Sequence, residues 1–293
     1  TIFIYMKLTA QVKLTTSPDQ GQALRETMER ANQACNFISE WGWENRSLDL
    51  IRLHRGCYYK VKEKFDLSAQ MACQCLGKVV DAYKIDRKVK REFKPLGAIT
   101  YDNRILSWYL DRQLVSIWTL EGRLKINFVA GERQLELLKL RQGETGLVFQ
   151  DGEFYLLACC DVPEPEINKS TDFIGVDLGI KNIAVDSDRE IHAGNQLNHL
   201  RHRHAKLRSK LQKKGTKSAK RLLKKRRRKE QRLAKDVNHC ISKKLVAKAK
   251  DTGRGIALEN LKGIRDRITV RKSQRRSQTS WSFDQLRFFI EYK

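Results

Sequence analysis

Hydrophobic and polar positions follow two different periods along this chain, and the changes of period mark its parts. Leu8, Ala10, Val12 and Leu14 alternate with Lys7, Thr9, Gln11 and Lys13, which predicts a half-buried strand. Ser17-Pro-Asp-Gln20 then supplies an N-cap, a proline at the first helical position and a capping-box glutamine. Leu24, Met28, Ala31, Cys35, Ile38 and Trp41 follow at helical spacing. A second helix is predicted over Leu48 to Lys64. A third starts at the cap Ser68, carries Met71, Cys75, Leu76, Val79 and Tyr83 on one face, and stops before Pro95. These stripes read as core.

From Ile99 to Val162 the period becomes two. Ile105 to Trp108, Val115 to Thr119, Leu124 to Phe128, Gly146 to Phe149 and Phe154 to Leu157 read as short antiparallel strands, separated by turn pairs such as Glu121-Gly122 and Asp151-Gly152. With the first strand they suggest one β-barrel interrupted by the helices. Pro163-Glu-Pro165 and the polar residues to Thr171 read as a linker, which sets a domain boundary there.

Beyond it, Ile174-Gly-Val-Asp-Leu-Gly-Ile-Lys-Asn-Ile-Ala-Val185 reads as strand, tight turn, strand. Asp177 falls at the end of the first strand among Ile174, Val176 and Leu178, where a carboxylate is costly to ionise without a positive partner. Gly175 and Gly179 leave room around it for close backbone approach or a positive φ. Gly255-Ile-Ala-Leu-Glu-Asn-Leu261 repeats the arrangement and ends on Glu259. Two readings stand: a metal-dependent phosphodiester site, or two acids capping the turns that follow. Lys181 likewise reads as a solvated turn residue or a phosphate contact.

Between the two acids lies a basic helical region. Residues 201–235 hold eighteen Lys and Arg against one acid, Glu230. Gly215, with Thr216 and Ser218, predicts a break into two helices of a hairpin, and Leu233, Val237, Ile241 and Leu245 give the second helix a packing face. Lys224, Lys225, Arg226, Arg227 and Arg228 are candidate contacts to a nucleic-acid backbone. Arg275 and Arg276, in a stretch from Arg271 to Gln278 that reads as a basic loop, are two more. The final segment, Trp281 to Tyr292, is amphipathic, with Phe283, Leu286, Phe289 and Ile290 on a face that wants a cover.

Composition sharpens the choice of partner. Fifty-nine Lys and Arg against thirty-four Asp and Glu leave a net charge of +25, which calls for a polyanion, nucleic acid before a membrane surface. No apolar run approaches the roughly 18 residues that span a bilayer, so no integral membrane protein is expected. Seven irregularly spaced cysteines without a Cys-x-x-Cys pair read as reduced thiols in a cytoplasmic protein, with no zinc site in this chain.

Strand, acid, glycine turn, strand, strand, basic helices, then a strand ending in an acid is the order of an RNase H-like nuclease core. Ile174 to Asn182 resembles the first RuvC motif of the transposon-encoded TnpB (OrfB) family, and Ala257-Leu-Glu-Asn-Leu261 the second. Trp281 to Leu286, with Ile290 to Lys293, resembles the segment that follows. Ser17 to Gln20 with Leu24 resembles the family's opening. These proteins, long described as transposases, are RNA-guided DNA endonucleases similar to the type V CRISPR effector nucleases.

The resemblance implies a mixed α+β and α/β chain. Residues 1–16 and 96–165 would form a wedge β-barrel, residues 17–95 an inserted helical recognition lobe, and residues 172–293 an RNase H-like (RuvC) domain with a long basic helical hairpin. It implies guide RNA and target DNA as partners and a prokaryotic, nucleoid-associated location. It makes Asp177 and Glu259 catalytic ligands of Mg²⁺ or Mn²⁺. The family's zinc ribbon and third acidic motif have no counterpart here. Asp186, Asp188, Asp266 and Asp284 lie near the right segments but in no third-motif context. The expectation is a C-terminally truncated chain with an incomplete RuvC domain, able to bind RNA and impaired in cutting. The alternative is a non-catalytic nucleic-acid-binding protein whose two acids are structural. An actin-like ATPase, suggested by Asp177-Leu-Gly179, is disfavoured by the charge and by the lack of an adenosine Gly-Gly signature.

Overall fold

The structure, a computed structural model, describes residues 5–163, 170–226, 228–271 and 274–293. The chain divides into two compact units, Thr1–Pro165 and Glu166–Lys293. Most of the expected linker, residues 164–169, lies outside the described residues.

The first unit runs β1 (Tyr5–Thr15), α1 (Pro18–Glu44), α2 (Leu50–Phe65), α3 (Ala69–Ile85), β2 (Ile99–Tyr101), β3 (Leu106–Tyr109), β4 (Leu114–Thr119), β5 (Gly122–Val129), α4 (Glu132–Lys139), β6 (Arg141–Gln150) and β7 (Glu153–Pro163). The seven strands form one antiparallel sheet in the order β2-β6-β7-β1-β5-β4-β3. The edge strands β2 and β3 are consecutive in sequence, so their short connection draws the edges together and nearly closes the sheet. The Tyr101 hydroxyl on β2 donates to the Trp118 carbonyl on β4 at 3.2 Å across that gap. One core serves sheet and helices alike: Leu14, Ile117, Ile126 and Leu156 pack in the same cluster as Leu24, Met28, Leu53 and Leu76.

The capping box forms as its residues dictate. Gln20 N–H donates to Ser17 Oγ at 3.2 Å, and Ser17 N–H donates to Gln20 Oε1 at 3.0 Å. One element departs from the periodicity. α3 ends at Ile85, before Pro95 as expected, whereas α4 interrupts the alternating region. The α4 start is fixed by Gln134, whose Oε1 accepts from Gly131 N–H at 2.8 Å. Such a glutamine signal is hidden when the period-two pattern dominates on both sides.

The second unit contains β8 (Phe173–Leu178), β9 (Asn182–Asp186), β10 (Ile191–Ala193), α5 (Asn195–Lys214), α6 (Lys217–Arg226), α7 (Lys229–Asp251), β11 (Gly255–Leu258), α8 (Ile264–Arg267), α9 (Arg275–Ser280) and α10 (Phe283–Glu291). Its sheet has the order β10-β9-β8-β11, with β11 parallel to β8 and the other pairs antiparallel. Among the described residues the basic region is three helices rather than a two-helix hairpin. Gly215 ends α5 in the left-handed region, and Arg228, at φ 64°, precedes α7. The basic stretch near Arg275 carries the short helix α9 instead of a continuous loop. α10 buries Phe283, Leu286, Phe289 and Ile290 and packs on α7, so its apolar face is covered. α7 in turn buries Ala234, Ile241, Leu245 and Ala249. Among the described residues, no helix is long and apolar enough to cross a membrane.

Candidate metal and nucleic-acid site

The alternation along β8 is strict: Ile174, Val176 and Leu178 are buried, while Phe173, Gly175 and Asp177 are exposed. Asp177 is therefore on the open face of the sheet and not within its core, which corrects the expectation of a carboxylate set among apolar side chains. The strand period turns it outward from its apolar neighbours. β11 lies parallel alongside, pairing Gly255 with Phe173, Ala257 with Gly175 and Leu258 with Val176. One residue beyond that last pair, Glu259 follows Leu258 as Asp177 follows Val176. Both acids are exposed. Neighbouring strands in a sheet lie about 4.8 Å apart.

Two glycines make this strip possible. A Cβ on Gly255 would fall 2.6 Å from the Phe173 ring, so the ring lies directly over β11. A Cβ on Gly179 would fall 2.6 Å from the Asn182 carbonyl oxygen, so the turn after Asp177 closes only around a glycine. Gly175 is different, because its nearest neighbour would be Ser187 Cβ at 4.0 Å. Its place between Phe173 and Asp177 leaves the open face low. Among the described residues, neither Asp177 nor Glu259 makes an ion pair or a side-chain hydrogen bond.

The other acids of this sheet are fully engaged. Asp186 pairs with Val176 on β8 and is buried. Lys248 of α7 reaches Asp186 at 2.5 Å, Asp188 at 2.9 Å and Glu190 at 3.6 Å. Arg254 makes a two-pronged pair with Asp188 at 2.6 and 3.1 Å, and Glu190 N–H donates to Asp186 Oδ1 at 2.8 Å. Burial pushes the Asp186 carboxyl up, but hydrogen bonds from Lys248 and the Glu190 amide outweigh it and hold the group below the usual range. Arg254, then Lys248, hold Asp188 far lower. Lys248 is pushed up to about 12 by its bonds to Asp186 and Asp188. Asp186 and Asp188 are thus structural acids, and Asp284 is an exposed residue in the first turn of α10. The side chain of Asp266 lies outside the described residues. Only the acids of this cluster were visible in the sequence, because Lys248 and Arg254 come from elements more than sixty residues away.

The candidate cations are distributed over several elements. Lys181 is exposed in the β8–β9 turn, where its carbonyl accepts from Gly194 N–H at 2.8 Å. Lys224 and Lys225 are exposed on α6, Arg226 is half-buried at its end, and Arg228 is exposed ahead of α7. Arg227 lies outside the described residues. Arg275 and Arg276 are exposed, and Arg276 also donates to the Arg201 carbonyl at 3.4 Å. A cavity of about 980 Å³ between α5 and α7 is lined by Arg203, Lys206, Lys210, Arg226, Lys229 and Arg232, with Asp236 as its one lining acid. Within it, burial and then Arg226 keep the His204 imidazole below its usual range.

Among the described residues, no three His, Cys, Asp or Glu side chains come together in a metal-binding group. The pair Asp177 and Glu259 still suits Mg²⁺ or Mn²⁺ in chemistry: both donors are hard oxygens, open to solvent, and Mg²⁺ takes one or two carboxylates while keeping several waters.

Residues 158–262 match the family model OrfB_IS605, "Probable transposase". A TnpB-like protein of Methanocaldococcus jannaschii is 40% identical over 65 residues, 22% of this chain. The match spans only 23% of that relative's length. Among solved structures, a chain of the cryo-EM structure of a Cas12f1–sgRNA–target DNA complex aligns over 94% of this chain and 73% of its own length, at 13% identity and TM-score 0.53. At that identity the likeness speaks for the fold.

Proposed function

We propose, from the premise that this chain is a TnpB-family protein with a fold similar to that of Cas12f1, that it grips a guide RNA and a target DNA and holds a divalent metal ion at Asp177 and Glu259 for phosphodiester hydrolysis. In this reading residues 1–16 and 96–165 are a wedge barrel, residues 17–95 a recognition lobe and residues 172–293 a RuvC-like nuclease domain. One observation carries it: Asp177 on β8 and Glu259, the residue that follows the parallel strand β11, are both exposed and make no ion pair among the described residues, in a chain of net charge +25. Adjacent like charges are unfavourable, and a divalent cation relieves them.

When bound, the ion supplies Lewis-acid stabilisation of a phosphoryl oxygen. The residues of the chain do the rest. Asp177 and Glu259 bind through oxygen. Gly175 and Ala257, small and exposed between them and Phe173, leave a low strip that a phosphate backbone can approach. Lys181 offers positive charge at the turn beyond Asp177. Lys224, Lys225, Arg226, Arg227, Arg228, Arg275 and Arg276 hold the nucleic-acid backbone, which fixes register and carries no sequence information by itself.

The test pairs binding with cutting. Mn²⁺ binding to the purified chain is followed by electron paramagnetic resonance for wild type, Asp177→Ala and Glu259→Ala. Cleavage of matched target DNA is then assayed with the cognate RNA. Loss of Mn²⁺ binding in both variants with RNA affinity retained supports the reading; unchanged Mn²⁺ binding in both would sink it. The absence of a third ligand among the described residues favours a second reading, a nucleic-acid-binding protein that does not cut. Tight RNA binding without cleavage or specific Mn²⁺ binding selects that one.

A further inference from the structure

Between the end of α3 at Ile85 and the start of β2 at Ile99, residues 86–98 form neither helix nor strand. Connections of more than about 12 residues without secondary structure are uncommon in compact units and are usually functional. This one is pinned along its backbone by a stripe of α1. Asn36 makes a two-way pair with Phe93: its Nδ2 donates to the Phe93 carbonyl at 2.9 Å, and Phe93 N–H donates to its Oδ1 at 2.7 Å. Four residues earlier, Asn32 Nδ2 donates to the carbonyls of Pro95 at 3.0 Å and Gly97 at 2.8 Å. Three residues later, Ser39 Oγ donates to the Arg91 carbonyl at 2.7 Å, and Arg91 N–H donates to Tyr83 Oη at 3.2 Å. Lys78 of α3 adds a bond to the Ala98 carbonyl at 2.7 Å. Asn32, Ser39 and Tyr83 are buried, so a strap that came away would cost each of them a hydrogen bond, leaving Asn32 only its bonds to Met28 and Lys78 and Ser39 and Tyr83 only each other. The strap is therefore held in one course before any partner arrives.

It displays cations. Arg87, Lys88, Lys90, Arg91 and Lys94 face only Asp86 and Glu92 within the segment. Lys90 pairs with Glu40 at 3.0 Å and Arg91 with Asp86 at 3.7 Å. Arg87, Lys88 and Lys94 are exposed and, among the described residues, pair with no carboxylate. On the same segment, at Lys90 to Phe93, opens a cleft of about 560 Å³ lined by Phe37, Phe65 and Phe93, with Lys64, Lys90 and Arg91 as its cations and Glu40 and Glu92 as its acids. The rings of Phe37 and Phe65 lie 5.8 Å apart, and Lys64 Nζ sits 4.8 Å from the Phe37 centroid.

We infer that residues 86–94 and this cleft are a nucleic-acid contact: Arg87, Lys88 and Lys94 hold successive phosphates, and an unpaired base enters the cleft against Phe37. Free cations on a fixed backbone select a polyanion, and an aromatic lining beside them selects one that carries bases. The ligand is a phosphodiester strand with an unpaired base, from RNA or from DNA. The inference rests on the reading that the chain binds nucleic acid, and adds a binding surface on residues other than those of the basic helices. Pinning by α1 lowers the ordering cost of binding.

The experiment measures anisotropy of fluorescent single-stranded RNA, single-stranded DNA and a DNA duplex against the full chain across a salt series. Four proteins are compared: wild type, Arg87→Gln/Lys88→Gln/Lys94→Gln, Asn36→Ala, and Lys224→Gln/Lys225→Gln. The triple strap variant is expected to lower the log–log salt slope on a single strand by about 0.7 for each phosphate it no longer neutralises. Asn36→Ala keeps every charge, so it is expected to weaken single-strand affinity about threefold or more with the slope unchanged. An effect confined to RNA, confined to DNA, or shared by both supports the strap site and names its source. An unchanged triple variant, alongside a Lys224/Lys225 variant that does lose slope, overturns the strap site and leaves the general reading standing. A wild-type chain without salt-dependent binding to any probe overturns both.

Discussion

β8 and β9 carry acids to both faces of one sheet, and the two faces treat them in opposite ways. Asp186, opposite Val176, is buried and locked to Lys248, with Asp188 and Glu190 drawn into the same cluster and Arg254 closing it. Asp177, opposite Val185, is exposed, as is Glu259, and neither meets a cation among the described residues. The sequence alternation that delivers both is the same. What differs is the element packed above: α7 brings Lys248 to one face, and among the described residues no side chain bonds to the two acids of the other. Acids a protein neutralises itself are part of its stability, and acids it leaves paired and bare are available to a ligand.

The sharpest way to break this comparison is to remove the bare acids. Asp177→Ala and Glu259→Ala should each lower Mn²⁺ affinity by at least the roughly 10- to 100-fold that outer-shell changes cost a metal site. Their effect on stability should stay within about 0.5 kcal/mol, as for other exposed positions. A large fall in melting temperature for Asp177→Ala would mean that this acid is structural after all.

The converse experiment targets the closed cluster. Lys248→Met strands buried Asp186 without its cation, and should lower the melting temperature far more than Asp177→Ala does. Adding Asp186→Asn to Lys248→Met should recover much of that loss. The pH dependence follows from the shifts. Asp186 and Asp188 titrate below the ordinary carboxylate value of 3.8, so their contribution is complete above that pH and is lost as pH falls through their folded values. Lys248, raised from 10.5 to about 12, contributes fully below 10.5 and loses its contribution as pH rises through about 12. Lys248→Met should flatten both limbs of the stability profile.

These contrasts show what the chain disclosed and what it withheld. The capping box at Ser17, the stripes of α1 and α3 and the alternation of β1 are local patterns, and each was legible from its own residues. Asp177 and Glu259 could be picked out as strand-end acids, yet their place on the open face depends on which alternate set of β8 is inward. α4 was obscured by strands on either side. The Asn32, Asn36 and Ser39 ladder was illegible because its partners lie more than fifty residues on and are backbone atoms without sequence signature. Lys248 and Arg254 were hidden because the carboxylates they meet, Asp186 and Asp188, lie more than sixty residues away. In a chain so rich in cations, pattern alone does not separate those that are paired internally from those that are free.

That separation gives a further test. Lys248 and Arg254 are paired within the protein, whereas Lys224 and Lys225 are exposed on α6. Replacing Lys224 and Lys225 with Gln should reduce the salt slope of RNA or DNA binding by about 0.7–0.9 for each phosphate left without its cation. Melting temperature should hardly change. An unaltered slope would assign these residues to solubility.

The smallest expected effect discriminates most finely between the two faces. Gly179 and Gly175 flank Asp177, and only Gly179 is demanded by the fold. A methyl on Gly179 meets the Asn182 carbonyl oxygen at 2.6 Å, and that oxygen is main chain, which must move. A methyl on Gly175 meets only Ser187 Cβ at 4.0 Å, with no positive φ to strain it. Gly179→Ala should therefore destabilise the second unit, while Gly175→Ala should leave it unchanged or raise its stability by about 0.4–1 kcal/mol through a less flexible unfolded chain. The Gly175 methyl would nevertheless project onto the open strip beside Asp177. If a phosphate backbone approaches the bare acids along that strip, Gly175→Ala should weaken nucleic-acid binding or turnover in the presence of Mn²⁺ while stability is kept. A variant as active as wild type would place the approach elsewhere on the face, because nothing in the packing around Gly175 requires the residue to be small.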